Sequence, residues 1–126
     1  MESPLITVIT VSYNAASSIE QTIISVINQT YPHIEYIIID GGSTDNTVDI
    51  IKKYADKISY WVSEPDKGIY DAMNKGIKIA AGKYTLFMNV NDTFYASSSI
   101  AEVCNLMEKY DSQHDAYYGC LLYTSD

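Results

Sequence analysis

The chain is short of basic residues, of cysteine and of long apolar runs, and each shortage closes off a class of function. Lysine and arginine together number 8 against 16 aspartates and glutamates, a net charge of −8. That balance leaves no basic footprint for nucleic acid and nothing to draw the chain to an anionic membrane surface. Phosphates, if bound, must be held by backbone N–H groups, isolated lysines or a metal ion. Two cysteines, Cys104 and Cys120, are too few for a disulfide framework and lack metal-ligand spacing. No apolar run reaches the roughly 18 residues of a membrane span. Met1-Glu2-Ser3-Pro4 has neither the basic nor the apolar segment of a signal peptide. A reducing, cytoplasmic setting is expected.

What is present is enough for one packed unit. The 126 residues are 47% hydrophobic and 12% aromatic, which argues for a real core and against disorder. Leu5 to Tyr13 (LITVITVSY) is apolar and β-branched on both alternating faces, the pattern of a strand covered on two sides. Ser17 and Glu20 have the spacing of a capping box, and Ile19, Thr22, Ile23, Val26 and Ile27 follow at helical spacing. Pro32 stops that helix. Ile34 to Ile39 reads as a second buried strand ending at Asp40, followed by a helix to about Ala55 and a third strand over Ile58 to Val62.

Ile69, Ala72, Met73, Gly76, Ile77 and Ala80 mark the apolar face of a third helix, opposite Asp71, Asn74, Lys75 and Lys78, with Gly82 as its stop. The run from Tyr84 to Met88 is a fourth strand that breaks into Asn89, Asn91 and Asp92. A second capping box, Ser99 with Glu102, opens a helix to about Tyr110, and Tyr117 begins a fifth strand. The alternation of strand and helix predicts an α/β sheet with right-handed crossovers.

In such a sheet ligands sit at the C-terminal ends of the strands. Four loops therefore meet along one edge: Ser12-Tyr13-Asn14, Asp40-Gly41-Gly42-Ser43, Glu64-Pro65-Asp66-Lys67-Gly68 and Asn89-Val90-Asn91-Asp92. A dinucleotide fold needs a glycine-rich turn after the first strand, whereas Tyr13-Asn14-Ala15-Ala16 has no glycine. Taken singly, each loop has a plainer reading. Asp40 fits a strand-terminal turn, Tyr13 and Trp61 fit core aromatics, and Asp66-Lys67 and Asn91-Asp92 fit solvated turns.

Taken in order, Thr7–Asn14 (TVITVSYN), Ile37–Asp45 (IIIDGGSTD), Asp66–Gly76 (DKGIYDAMNKG) and Leu86–Asp92 (LFMNVND) resemble the family 2 glycosyltransferases, inverting enzymes of the GT-A fold. The resemblance spans Pro4 to Gly119. It implies a GT-A, mostly parallel sheet with flanking helices, truncated at the C-terminus. It further implies transfer of a sugar from a nucleotide-diphosphate sugar donor to a sugar or lipid-linked acceptor, in polysaccharide or glycoconjugate synthesis at the inner face of the membrane.

By the same resemblance Tyr13 stacks near the nucleobase, Asp40 lies by base or ribose, and Asp66 and Lys67 face the nucleotide. Asn14 joins the donor site, and Asp92 is the metal-binding carboxylate. Mg2+ or Mn2+ suits oxygen ligands and neutralises the departing diphosphate. Two departures stand out. Asn91 replaces an acid common at the metal loop, which either weakens metal binding or shifts Asn91 to a ribose or phosphate contact. Gly41 replaces the second acid of a frequent Asp-Asp-Gly-Ser, so the donor's identity is not legible there.

The family's general base belongs to a later half, so residues 1–119 are expected to form an incomplete donor-binding domain, inactive alone. Residues 120–126 (CLLYTSD) can be encoded by a string resembling a transposon end joined to a sequencing adapter, and are expected to be a non-native tail. The alternatives are a non-catalytic nucleotide-binding or interaction module and a nucleotidyltransferase. The latter would want a glycine-rich, basic phosphate loop near the N-terminus.

Overall fold

A computed structural model of the chain describes residues 4–90, 93–94, 96–110 and 123–124. Strands β1 (Ile6–Ser12), β2 (Ile34–Asp40), β3 (Tyr60–Ser63) and β4 (Tyr84–Phe87) form one sheet in the order β3-β2-β1-β4. Every pairing in that sheet is parallel. Helices α1 (Ile19–Ile27), α2 (Thr47–Lys53) and α3 (Ile69–Ile79) are the crossovers between successive strands. A two-residue strand, β5 (Thr93–Phe94), precedes helix α4 (Ser99–Tyr110) and pairs antiparallel with β6 (Tyr123–Thr124). The expected fifth strand at Tyr117 and most of the expected tail lie outside the described residues.

The period-2 alternation of β1 and β2 splits the core into two layers. Ile6, Val8, Tyr36 and Ile38 face a large cluster with Ile19, Ile23 and Val26 of α1, Ile51 of α2, and Ile100 and Cys104 of α4. Ile9, Ile37 and Ile39 face the other way, onto Ala72 of α3. Double coverage is what the unbroken apolar runs predict. Cys104 is a buried free thiol within this core, as expected from its apolar neighbours.

Neither expected capping box forms. The helix α1 begins at Ile19 with no side-chain cap. Glu20 is drawn away instead, accepting hydrogen bonds from Lys53 Nζ at 2.9 Å and the Tyr54 hydroxyl at 2.5 Å at the end of α2. At α4, Glu102 accepts from the Ser98 hydroxyl, while the Ile100 N–H is capped by Gln29 Oε1 at 2.9 Å from beyond the end of α1. Tertiary partners thus supply what the local spacing suggested the helix would supply itself.

Gly82 also does a different job. The α3 helix ends at Ile79 with Ala80 as its C-cap, and Gly82 instead lets the entry to β4 press against β1. A Cβ there would lie 2.6 Å from the Thr7 backbone nitrogen and 3.0 Å from the Leu5 carbonyl oxygen. Backbone cannot step aside as a side chain can. Gly82→Ala is expected to destabilise the fold by about 2 kcal/mol, read as a lower urea midpoint at unchanged m-value.

Candidate functional site

The parallel register brings the loops after β1, β2 and β3, and the start of the fourth as far as Val90, to one edge. Ser12 lies opposite Asp40, Asp40 opposite Ser63, and Ile9 opposite Phe87. The three loops after β1, β2 and β3 therefore start level, and β4 delivers residues 88–90 alongside the end of β1. A hydrogen bond from Met88 N–H to the Ile9 carbonyl, at 2.9 Å, continues that pairing. The Thr22 hydroxyl of α1 donates to the Val90 carbonyl at 2.7 Å, which ties the approach to the fourth loop onto the first helix.

At the centre of this edge is Asp40, fully buried. One carboxylate oxygen accepts from the Ser12 hydroxyl at 2.7 Å and the Ser43 hydroxyl at 2.6 Å. The other accepts from Gly42 N–H at 3.1 Å, Ser43 N–H at 2.8 Å and the Ser63 hydroxyl at 2.8 Å. Burial pushes the carboxyl's pKa up, but the bonds from Ser43, Ser12 and Ser63 outweigh it and hold the carboxyl below the usual range. Asp40 is thus the knot joining the ends of three strands.

A second set of bonds laces the first loop to the second. Asn14, at φ +46°, receives the Thr44 N–H on its side-chain oxygen at 2.8 Å, and its own N–H reaches Ser43 Oγ at 2.8 Å. Ala15 N–H donates to Thr47 Oγ1 at 2.8 Å and Ala16 N–H to Asp45 Oδ2 at 3.2 Å. The Asp45 carboxyl is held low, chiefly by the hydrogen bond from the Thr47 hydroxyl. With no glycine in the first loop, the second loop's side chains satisfy its backbone.

Above the knot opens a cleft of about 630 Å³, lined by residues including Val11, Tyr13, Gly41, Pro65, Asp66 and Ile69. Tyr13 is 62% exposed and Ile69 52% exposed, so two large apolar side chains stand at its mouth. Tyr13 is therefore a cleft residue and no part of the core. The half-buried Asp66 accepts from Gly68 N–H at 3.0 Å through Oδ1, which fixes the carboxylate's direction. Gly68 holds φ +118° to make that turn.

Of the residues singled out from the sequence, the cleft gathers Tyr13 and Asp66 directly. Asp40 lies beneath it and Asn14 faces the second loop, while Lys67 is exposed on the turn with its N–H donated to Asp71 at 2.9 Å. Asn91 and Asp92 lie outside the described residues. Among the described residues, no group of three His, Cys, Asp or Glu side chains could hold a metal. Also among them, no helix is long and apolar enough to cross a membrane.

Sequence reasoning did not find the serine trio around Asp40, because only Ser43 is near it in sequence, and the hydroxyls of Ser12 and Ser63 arrive from the ends of β1 and β3. Lys75, placed from the sequence on the polar face of the third helix, turns its ammonium back to the third loop, 3.4 Å from the Pro65 carbonyl oxygen and 3.7 Å from Glu64.

Residues 7–123 match the family model described as Glycosyl transferase family 2. A PGL/p-HBAD biosynthesis glycosyltransferase of Mycobacterium bovis is 30% identical over 128 residues, covering 99% of this chain and 50% of the relative. The putative teichuronic acid biosynthesis glycosyltransferase TuaG of Bacillus subtilis is 38% identical over 109 residues, 84% of this chain and 43% of the relative. Among solved structures, S. aureus TarS in complex with UDP superposes with a TM-score of 0.75 at 25% identity, over 84% of this chain and 32% of that one. The chain thus spans half or less of the length of these curated relatives.

Proposed function

The chain belongs to glycosyl transferase family 2 and has the GT-A fold, and on that premise we propose that it is the donor-binding half of a metal-assisted sugar transferase. The donor is a nucleotide-diphosphate sugar, and the attacking group is an acceptor hydroxyl in polysaccharide or glycoconjugate synthesis. The observation that carries this reading is the cleft itself. Its apolar walls, Tyr13, Pro65 and Ile69, suit a flat heterocycle, and it lies at the C-terminal edge of the parallel sheet. The UDP complex of TarS and the biosynthetic roles in the relatives' names support the same substrate class.

In this reading the nucleobase lies against Tyr13, and the ribose and diphosphate run toward Asn91 and Asp92. The chain carries no arginine, so the diphosphate's charge falls to Lys67, backbone N–H groups and a divalent ion. The residue that would hold the ion is Asp92, the carboxylate that the family resemblance assigns to the metal. Mg2+ or Mn2+ would supply charge neutralisation for the departing nucleoside diphosphate. The chain's own residues orient the donor, holding the base at one end so that the sugar–phosphate bond faces the acceptor.

A thermal-shift screen of the full-length protein tests this. One nucleoside diphosphate, at about a hundredfold excess over its Kd and with Mn2+, is expected to raise Tm by about 5 °C, and to do much less without metal. No shift with any of UDP, GDP, CDP or ADP, with or without metal, contradicts the proposal.

A further inference from the structure

We propose that Asp66 selects the nucleobase, accepting a hydrogen bond from a ring N–H on its edge, and that Gly41 is the vacancy admitting its carboxylate to the cleft. This rests on the donor-site reading above and goes on to name the class of base.

The two residues compete for one place. A Cβ built on Gly41 would lie 2.8 Å from Asp66 Oδ2, 3.2 Å from its Cγ and 3.3 Å from Oδ1. Any side chain at 41 would therefore stand where the Asp66 carboxylate now stands. A second acid at position 41 and this placement of Asp66 exclude each other. The chain has delivered a carboxylate to the cleft floor from the third loop in place of the second.

The third loop is built to keep it there. Glu64 N–H donates to the Asp40 carbonyl at 3.0 Å, so the loop is hung from the buried knot. Gly42, at φ +85°, lies beneath it, its absent Cβ only 3.2 Å from the Pro65 nitrogen. Gly68 N–H fixes Asp66 Oδ1 at 3.0 Å, and Lys75 holds the Pro65 carbonyl from α3. Oδ2 is left with no hydrogen bond among the described residues, beside Gly41 in a cleft whose other walls are mostly apolar.

A lone carboxylate oxygen between apolar walls accepts and does not donate. Uracil N3 and guanine N1 each carry a hydrogen that satisfies it. The corresponding ring nitrogens of cytosine and adenine carry a lone pair, which it repels, so these bases can reach it only through the neighbouring exocyclic amine, with the ring displaced in the cleft. The shared chemistry is thus the ring N–H beside a carbonyl, and UDP against GDP separates the two sources.

Titration calorimetry on the full-length protein with UDP, GDP, CDP and ADP, each with Mn2+, provides the test. UDP or GDP is expected to bind at least about tenfold tighter than both CDP and ADP. In Asp66→Asn, isosteric and on a partly exposed turn, that gap should shrink to within about threefold. Gly41→Ala, which crowds the carboxylate out of the cleft, should shrink it likewise, with circular dichroism confirming the fold. Equal binding of all four diphosphates by the unaltered protein overturns the inference and leaves the donor-site reading standing. So does a full gap retained in either variant. Failure of every diphosphate to bind overturns both.

Discussion

Asp40→Asn is expected to lower the free energy of unfolding by about 4 kcal/mol and to remove nucleotide binding with it. The buried carboxylate accepts five hydrogen bonds, from Ser12, Gly42, Ser43 twice and Ser63. Two of those donors are backbone N–H groups that cannot rotate away. An amide of the same shape offers only one accepting oxygen and turns an N–H2 group against donors. Some buried group is then left unsatisfied, and the three strand ends lose their common tie. Urea denaturation measures the loss. Ligand binding should fall together with stability, because the same five bonds shape the floor of the cleft.

The pH dependence follows from the direction of the Asp40 shift. Its folded pKa is depressed, so its contribution is fully present above the unfolded value and is lost as pH falls through the folded value. Below about pH 4, where an unfolded aspartate takes up its proton, the stability difference between the parent and Asp40→Asn should begin to narrow. A gap that stays constant down to pH 2 contradicts the hydrogen-bond account.

The second large effect concerns the metal loop. In the full-length protein, Asp92→Ala is expected to reduce sugar transfer at least about a hundredfold while Tm changes little. The metal's task is to neutralise charge that builds up as the sugar–phosphate bond breaks, so the loss belongs mostly in kcat. Unchanged transfer with the fold intact excludes a role for Asp92. Binding of the diphosphate with no transfer in the unaltered full-length protein favours a non-catalytic nucleotide-binding module.

The parallel α/β sheet and the convergence of the loops after β1, β2 and β3 were legible because the strands are largely apolar runs alternating with helices, whereas the order β3-β2-β1-β4 came only from the structure. The same reasoning placed Tyr13 and Asp66 together at the strand ends, and both line the cleft. What the residue pattern could not give was partnership across the chain. Ser17 and Glu20 have ideal local spacing, yet Glu20 goes to Lys53 and Tyr54 because those groups come within reach only after α2 packs beside α1. Asp40 sits where a ligand-facing acid is expected, yet three hydroxyls and two N–H groups already surround it. The local part of that set, the Gly42 and Ser43 groups, fits the strand-terminal turn read from the sequence, whereas the hydroxyls of Ser12 and Ser63 come from distant strand ends, which spacing does not encode. The exclusion between Gly41 and Asp66 is of the same kind, a contact between loops separated by a helix and a strand.

The central claim is that nucleotide and metal share this one edge, base in the cleft and diphosphate toward the fourth loop. Amide chemical-shift mapping of the full-length protein, with the tightest-binding nucleoside diphosphate added first with Mg2+ and then with Mn2+, tests it most directly. The expected result is nucleotide-dependent shifts at Ser12, Tyr13, Gly41, Gly42, Asp66 and Ile69, with Mn2+ broadening centred on residues 89–94. Shifts confined to the groove between α1 and β5, around Ile24, Asn28 and Phe94, or broadening centred elsewhere, would contradict it.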